Sequence, residues 1–396
     1  MKARSITLLM VAEIFGMSLW FVSAAVLPGM TAEFGLSGGQ QAALSSGVQG
    51  GFVIGALVLA ISGLPDRLDP RRLFAVCAAL AGGLNALLLI VPADSVAAVA
   101  LRVATGALLA GVYPVGMKIA VGWGTKDRGL LVGALVGSVA MGSASPHLIA
   151  VFGGADWRQT VLITSVLSIL GGFLALGSGL GPQHARSSRF DPQATLTAWT
   201  NKGVRYAIAG YLGHMWELYA MWAWVGLIAT SSFALVIGDV EAARMAPLTA
   251  FGVIAIGAVM CIPVGYLADR VGKAQAATGA MVISGLAAVA ASVTYGGPVW
   301  LVLAVLLIWG ASVIPDSPQF SALVADYAPA DQAGSLMTLQ TALGFALTMI
   351  TVQVTPMLAA LWGWPPVLLL MALGPACGIA AMRALIGLKR TGKAGA

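Results

Sequence analysis

Five ionisable residues lie deep inside long apolar runs of this 396-residue chain: Glu13, Arg102, Lys118, Glu217 and Asp316. An ionisable group in a bilayer interior costs at least about 2.5–3.5 kcal/mol on insertion scales, so each is a functional candidate by default. The chemistry open to them is proton uptake and release, and the binding of a charged solute. His214 stands one turn before Glu217, at the i, i+3 spacing that puts two side chains on one helix face. A carboxylate beside an imidazole can pass a proton; the same pair can equally be a structural contact or touch a solute. Asp316 sits in Pro315-Asp316-Ser317-Pro318-Gln319, where two prolines remove amide donors and free carbonyls. Such a break is tolerated at membrane depth only beside protein or a watered cavity, which favours a binding or gating element over a plain kink.

Uncharged groups accompany them. Trp20, Gln49, Tyr113, Tyr219, Gln319 and Gln340 can line a polar path or serve as packing and interhelical hydrogen bonds. Lys118 can bind an anion, pair with Asp316 or Glu13, or reach its ammonium to the membrane surface. Arg102 fits a cavity or relay role, or a structural ion pair. No His-Glu-x-x-His or paired-cysteine pattern occurs, and Cys77, Cys261 and Cys377 stand isolated. An enzyme, a metal site and a cofactor are therefore not expected.

The elements that must position these residues follow from composition. Hydrophobic residues make up 59% of the chain and charged ones 9%, far from the roughly 25% charge of a soluble domain. Runs of about 20 apolar residues read as membrane-spanning helices, and twelve are predicted: 6–29, 42–62, 72–91, 96–122, 129–152, 159–181, 204–231, 246–266, 275–296, 299–324, 333–360 and 366–387. The first is a retained helix, since no small-residue cleavage site follows it. Of the 21 lysines and arginines, Arg158 and Arg244 fall on one side, Arg102 and Lys118 fall within helices, and the rest fall on the side that carries both termini. The positive-inside rule makes that side cytoplasmic. Topology thus accounts for the net charge of +6, and no nucleic-acid partner is called for. The expected setting is a multi-pass cell-membrane protein, in bacteria the inner membrane, working as a monomer in the lipid bilayer.

Two charged turns repeat. Gly63-Leu64-Pro65-Asp66-Arg67-Leu68-Asp69-Pro70-Arg71-Arg72 and Gly265-Tyr266-Leu267-Ala268-Asp269-Arg270-Val271-Gly272-Lys273 each separate two apolar runs, with Asp66 and Asp269 about half a chain apart. Gly55 and Ala56 recur as Gly257 and Ala258, Trp20 as Trp222, and Tyr113-Pro114 as Ile314-Pro315, at nearly the same offset. Two homologous six-helix halves explain this, as parallel repeats. The predicted organisation is an N-terminal six-helix bundle at 1–182, a basic linker at 183–203 and a C-terminal six-helix bundle at 204–396.

With these turns, this helix number and this duplication, the chain resembles the major facilitator superfamily. Gly265, Asp269, Arg270, Gly272 and Lys273 match that family's turn motif; the first copy keeps Asp66, Arg67 and Arg71, with Ser62 and Asp69 replacing two glycines. Arg102 and Gly106 resemble its fourth-helix motif. The resemblance implies an all-α membrane fold of two pseudo-symmetric bundles. It also implies that helices one, four, seven and ten, which hold all five buried ionisable residues, line a central cavity. It further implies a gating role for Asp66, Arg67, Arg71, Asp269, Arg270 and Lys273 on the cytoplasmic side. The expected function is secondary active transport by alternating access, coupled to protons as symport or antiport, of a small anionic or zwitterionic solute. A drug or metal exporter of the same fold is the alternative, and a non-transporting receptor or scaffold the minor one.

Overall fold

The computed structural model describes residues 1–124, 128–153, 156–183, 194–329 and 332–390. The linker positions Arg186 and Arg189, and the basic residues Lys126 and Lys393, lie outside the described residues, as does the side chain of Asp66. Among the described residues there are only helices and their connections. Twelve helical segments are long and apolar enough to cross a membrane: Lys2–Phe34, Gly38–Ser62, Pro70–Leu89, Val96–Val121, Leu130–Phe152, Trp157–Leu176, Lys202–Ile237, Asp239–Val271, Lys273–Thr294, Val299–Tyr327, Ala333–Trp362 and Trp364–Leu388, called spans 1 to 12 here. Each coincides with one predicted run, because length and apolarity alone decide a spanning helix. The spans form two six-helix bundles, 1–6 and 7–12.

Glycine sets the close packing inside each bundle. In the first, Gly106 of span 4 meets the Val48 carbonyl of span 2, and Gly51 and Gly55 meet the backbone of Val103 and Ala107, so closely that a Cβ at any of them would overlap main-chain atoms. In the second, Gly257 of span 8 meets the Gly310 carbonyl and Gly310 of span 10 meets that of Val253. Small residues let membrane helices approach this far. The Gly55 and Gly257 recurrence in the sequence is thus one helix contact built twice.

Three of the spans are broken over three residues or more, and span 12 pauses at Ala372 alone. Span 10 stops at Val313 and restarts at Ser317, around Pro315 and Asp316; span 4 stops at Leu109 and restarts at Tyr113, beside Pro114. The two breaks occupy matched positions, as the repeated Tyr113-Pro114 and Ile314-Pro315 elements predict. Span 1 breaks between Met17 and Val22 with no proline at the break, whereas Pro28 sits inside a continuous helix.

The bundles meet across a seam. On span 2, Ser46 Oγ donates to Gln353 Oε1 of span 11 at 2.8 Å, and a Cβ on Gly50 would come within 2.9 Å of Met349 Sδ. On span 5, Gly137 lies against the Ala258 carbonyl of span 8. The Ser46–Gln353 bond belongs to the half of the membrane away from the termini, because span 2 starts and span 11 ends on that side.

Candidate functional site

Arg102 is fully buried. Its guanidinium donates to Asn85 Oδ1 at 2.9 Å, to the Leu19 carbonyl at 2.9 Å and to the Trp20 carbonyl at 3.1 Å. Leu19 and Trp20 are the broken part of span 1, so Arg102 supplies donors to carbonyls that a continuous helix would have satisfied. Asn85 in turn donates to Ser165 Oγ at 2.9 Å, which ties spans 3, 4 and 6 together. These acceptors are neutral, so among the described residues Arg102 makes hydrogen bonds and not the ion pair that is one reading of the sequence. The guanidinium lies against the helix break, and a planar fork with several donors suits three separate acceptors.

Lys118 also turns away from the centre. Its Nζ donates to the Pro65 carbonyl at 2.9 Å, in the charged turn that follows span 2. Of the readings the sequence leaves open for Lys118, this contact fits the one in which the stem carries the ammonium to the membrane edge, where it is less costly.

The acids are enclosed in the bundles. Glu13 is fully buried, its carboxylate packed towards Gly116 of span 4, and neither oxygen has a hydrogen-bond partner among the described residues. Glu217 is fully buried too. It accepts from Ser284 Oγ of span 9 at 2.6 Å and from Trp309 Nε1 of span 10 at 3.1 Å. Both donors are neutral. His214 shares the helix with Glu217 but pairs elsewhere: its Nδ1 lies 2.8 Å from Asp316 Oδ1. Asp316 occupies the span 10 break and precedes the helix Ser317–Tyr327, so the His214–Asp316 contact joins span 7 to that break. Gln319 is buried one turn further on. Ser284 and Trp309 carry no signal in the sequence beyond being polar-capable residues in apolar runs.

Rings occupy the seam between the bundles. Trp20 packs against Phe52 at 5.1 Å, Tyr219 at 5.7 Å and Phe345 at 5.4 Å between centroids. Phe21 lies 6.0 Å from both Tyr219 and Trp222, and Phe52 lies 4.5 Å from Phe345. Tyr113 stands half-buried at the restart of span 4. Gln49 is buried, and its amide lies against the Ser45 and Ser46 carbonyls of its own helix. Gln340 is fully buried with both amide atoms unpartnered among the described residues. Trp20 and Tyr219 are legible as candidates in the sequence; Phe21, Phe52 and Phe345 are not, since phenylalanine in an apolar run carries no distinguishing mark.

The charged turns on the termini side form contacts within single bundles. Asp69 accepts from Arg71, with Oδ2 to Nη2 at 2.7 Å, and Arg71 reaches the Ser178 carbonyl at 3.4 Å. The Arg71 guanidinium, followed by the Arg71 amide, holds the Asp69 carboxyl below the usual aspartate value. Arg67 is exposed. In the second turn Asp269 and Arg270 are exposed, Arg270 lies over the Tyr266 ring at 4.2 Å, and Lys273 bonds Asp326 of span 10 at 2.6 Å. A cavity of about 430 Å³ opens there, lined by Asp269, Lys273, Gln275, Asp326 and Tyr327 among others. Asp326 is the partner that sequence reading missed.

Twelve spans in two matched bundles, with Asp316 in the break of span 10 and an aromatic seam shared between the bundles, are the architecture of a polytopic membrane protein. The family model of the Major Facilitator Superfamily matches residues 8–352, and the chain belongs to that family of transporters. The fold is shared with a crystal structure of the nucleoside transporter NupG in a single-site mutant form, at 13% identity and TM-score 0.72, over 96% of this chain and 99% of that one. It is shared with a bacterial homologue of the human lysosomal transporter Spinster, in an inward-facing and occupied conformation, at 13% identity and TM-score 0.74, over 96% of both chains. A D-xylose–proton symporter gives 14% identity and TM-score 0.71, over 93% of this chain and 96% of that one. No curated protein sequence matches the chain.

Proposed function

We propose that this protein is a proton-driven secondary active transporter in which residues 1–182 and 204–396 rock about the seam, exposing one site between them to each side of the membrane in turn. The observation that carries the proposal is Glu217. A carboxylate enclosed at membrane depth by two neutral donors, Ser284 and Trp309, is expensive unless it serves a function, and it can take up and release a proton as its surroundings change. Glu13 supports the same reading in the other bundle. The distribution of lysine and arginine makes the termini side cytoplasmic, and in that orientation the bundles touch through Ser46–Gln353 on the outer side. The charged turns, including Asp66 and Asp269, then act as the cytoplasmic latch in the opposite state. One neighbour in fold is a proton symporter by name, which agrees with proton drive.

The solute follows from charge. Arg102 and Lys118 are the reason to expect an anion or zwitterion, yet both are engaged with backbone carbonyls, while the groups that meet at the seam are rings, Ser46 and the amide of Gln353. A neutral or cationic small solute suits these walls better. Among the described residues no group of three metal-ligating side chains forms, so a metal cargo has no support.

The test is a solute screen on proteoliposomes with an imposed pH gradient, with Glu217→Gln alongside. Gradient-driven uptake in the parent and its loss in the variant, with passive exchange retained, is the expected result. Parent flux indifferent to the gradient, or a variant that still concentrates solute, removes proton coupling through Glu217.

A further inference from the structure

We infer that the solute binds in the aromatic seam and belongs to one chemical class: flat conjugated ring compounds, neutral or singly cationic, with hydrogen-bond acceptors on the ring edge. The inference rests on the transport reading and adds the substrate class to it. Trp20, Phe21 and Phe52 face Tyr219, Trp222 and Phe345 across the boundary between the bundles, and all six are buried. Any motion that parts the bundles here removes ring contacts such as Trp20–Tyr219, Phe21–Trp222 and Phe52–Phe345. A flat ring can take the place of a departing ring in the stacked and edge-on geometries that aromatic pairs prefer. A sugar or an aliphatic acid has no ring quadrupole and reproduces neither geometry in full.

The indole donors supply the second observation. Trp123, Trp157, Trp216, Trp224 and Trp309 each donate to a carbonyl or carboxylate of the protein. Trp20 and Trp222 are buried and donate to nothing among the described residues. They are also the two tryptophans on the seam, one from each bundle, at repeat-related positions. Buried polar groups are nearly always paired, and an indole N–H can only donate, so an acceptor on the solute edge completes both. The unpartnered amide of Gln340, little more than a turn from Phe345 on span 11, offers a further donor and acceptor. Ring faces are electronegative and attract cations, and the two embedded cations of the first bundle point elsewhere, so a flat anion is the poor fit.

The experiment measures equilibrium binding to the full chain in nanodiscs with four probes: caffeine, flat, neutral and rich in acceptors; proflavine, flat and cationic; benzoate, flat and anionic; and D-glucose, neutral and not flat. Saturable binding of caffeine or proflavine, at least about tenfold tighter than benzoate and glucose, is expected. Trp20→Phe and Trp222→Phe keep a ring and remove the N–H, and each is expected to weaken caffeine binding about tenfold while leaving the thermal midpoint near the parent's. Tighter binding of benzoate or glucose, no saturable binding of either flat probe, or unchanged caffeine binding in both variants overturns the inference. Spin labels across Ser46 and Gln353 separate the two levels. A seam that opens and closes without preference for flat rings sinks the substrate class and spares transport; one fixed distance sinks the transport reading instead.

Discussion

Replacing Arg102 tests whether a buried cation holds the first span in its broken shape. Arg102→Met keeps the length of the side chain and deletes three hydrogen bonds, to Asn85, Leu19 and Trp20. Polar pairs within membranes average about 0.6 kcal/mol and reach about 1.7 kcal/mol, so three give a loss of about 2–5 kcal/mol. The loss is real only if the carbonyls of Leu19 and Trp20 find no other donor, and their burial in the broken segment denies them water. Arg102→Lys separates geometry from charge. A single ammonium cannot reproduce two guanidinium nitrogens directed at separate acceptors, so this variant is expected to recover less than half of the loss. Thermal unfolding in detergent at a fixed scan rate reads the order parent, Lys, Met; Asn85→Ala in a double-mutant cycle reads the coupling. A methionine variant as stable as the parent, or a lysine variant indistinguishable from it, would refute the claim that Arg102 braces the break.

Gly106→Val should destabilise by about 1–3 kcal/mol or more, because its side chain overlaps the Val48 carbonyl; Gly83→Ala, which meets open space inside a helix, is the control expected to hold or raise stability in the same unfolding assay. Asp69 offers a pH test. Its carboxyl is held below the ordinary value of 3.8 by Arg71, so its stabilisation is present above that value and is lost as pH falls through the lower, folded one. The difference in thermal midpoint between the parent and Asp69→Asn should therefore be visible at neutral pH and fade below the ordinary value; a difference that grows on acidification contradicts it.

The helices were legible because each spanning run is long and apolar, and the bundles because the Gly55/Gly257 and Pro114/Pro315 recurrences mark contacts and breaks built twice. Which buried ionisable residue meets which was not legible. Periodicity places His214 and Glu217 on nearby faces of span 7, but whether a side chain meets span 9 or span 10 depends on how the helices pack. That packing gives Ser284 and Trp309 to Glu217 and Asp316 to His214. Lys118 and Arg102 show the same limit. Their charge suggested an anion, whereas their reach is spent on Pro65 at the membrane edge and on Leu19 and Trp20 at an unmarked break. The break in span 1 has no proline to announce it and becomes visible only through the arginine that satisfies its carbonyls.

Alternating access about the seam is tested most directly by pulsed spin-label distances in a background without Cys77, Cys261 and Cys377. One pair, Ser46→Cys with Gln353→Cys, reports the side away from the termini; the other, Leu68→Cys with Leu267→Cys, uses exposed residues of the two charged turns. Two populations in each pair, with the first lengthening as the second shortens when pH is changed, is the predicted result. A single short Ser46–Gln353 distance at every pH, with the turn pair equally unmoved, would contradict it.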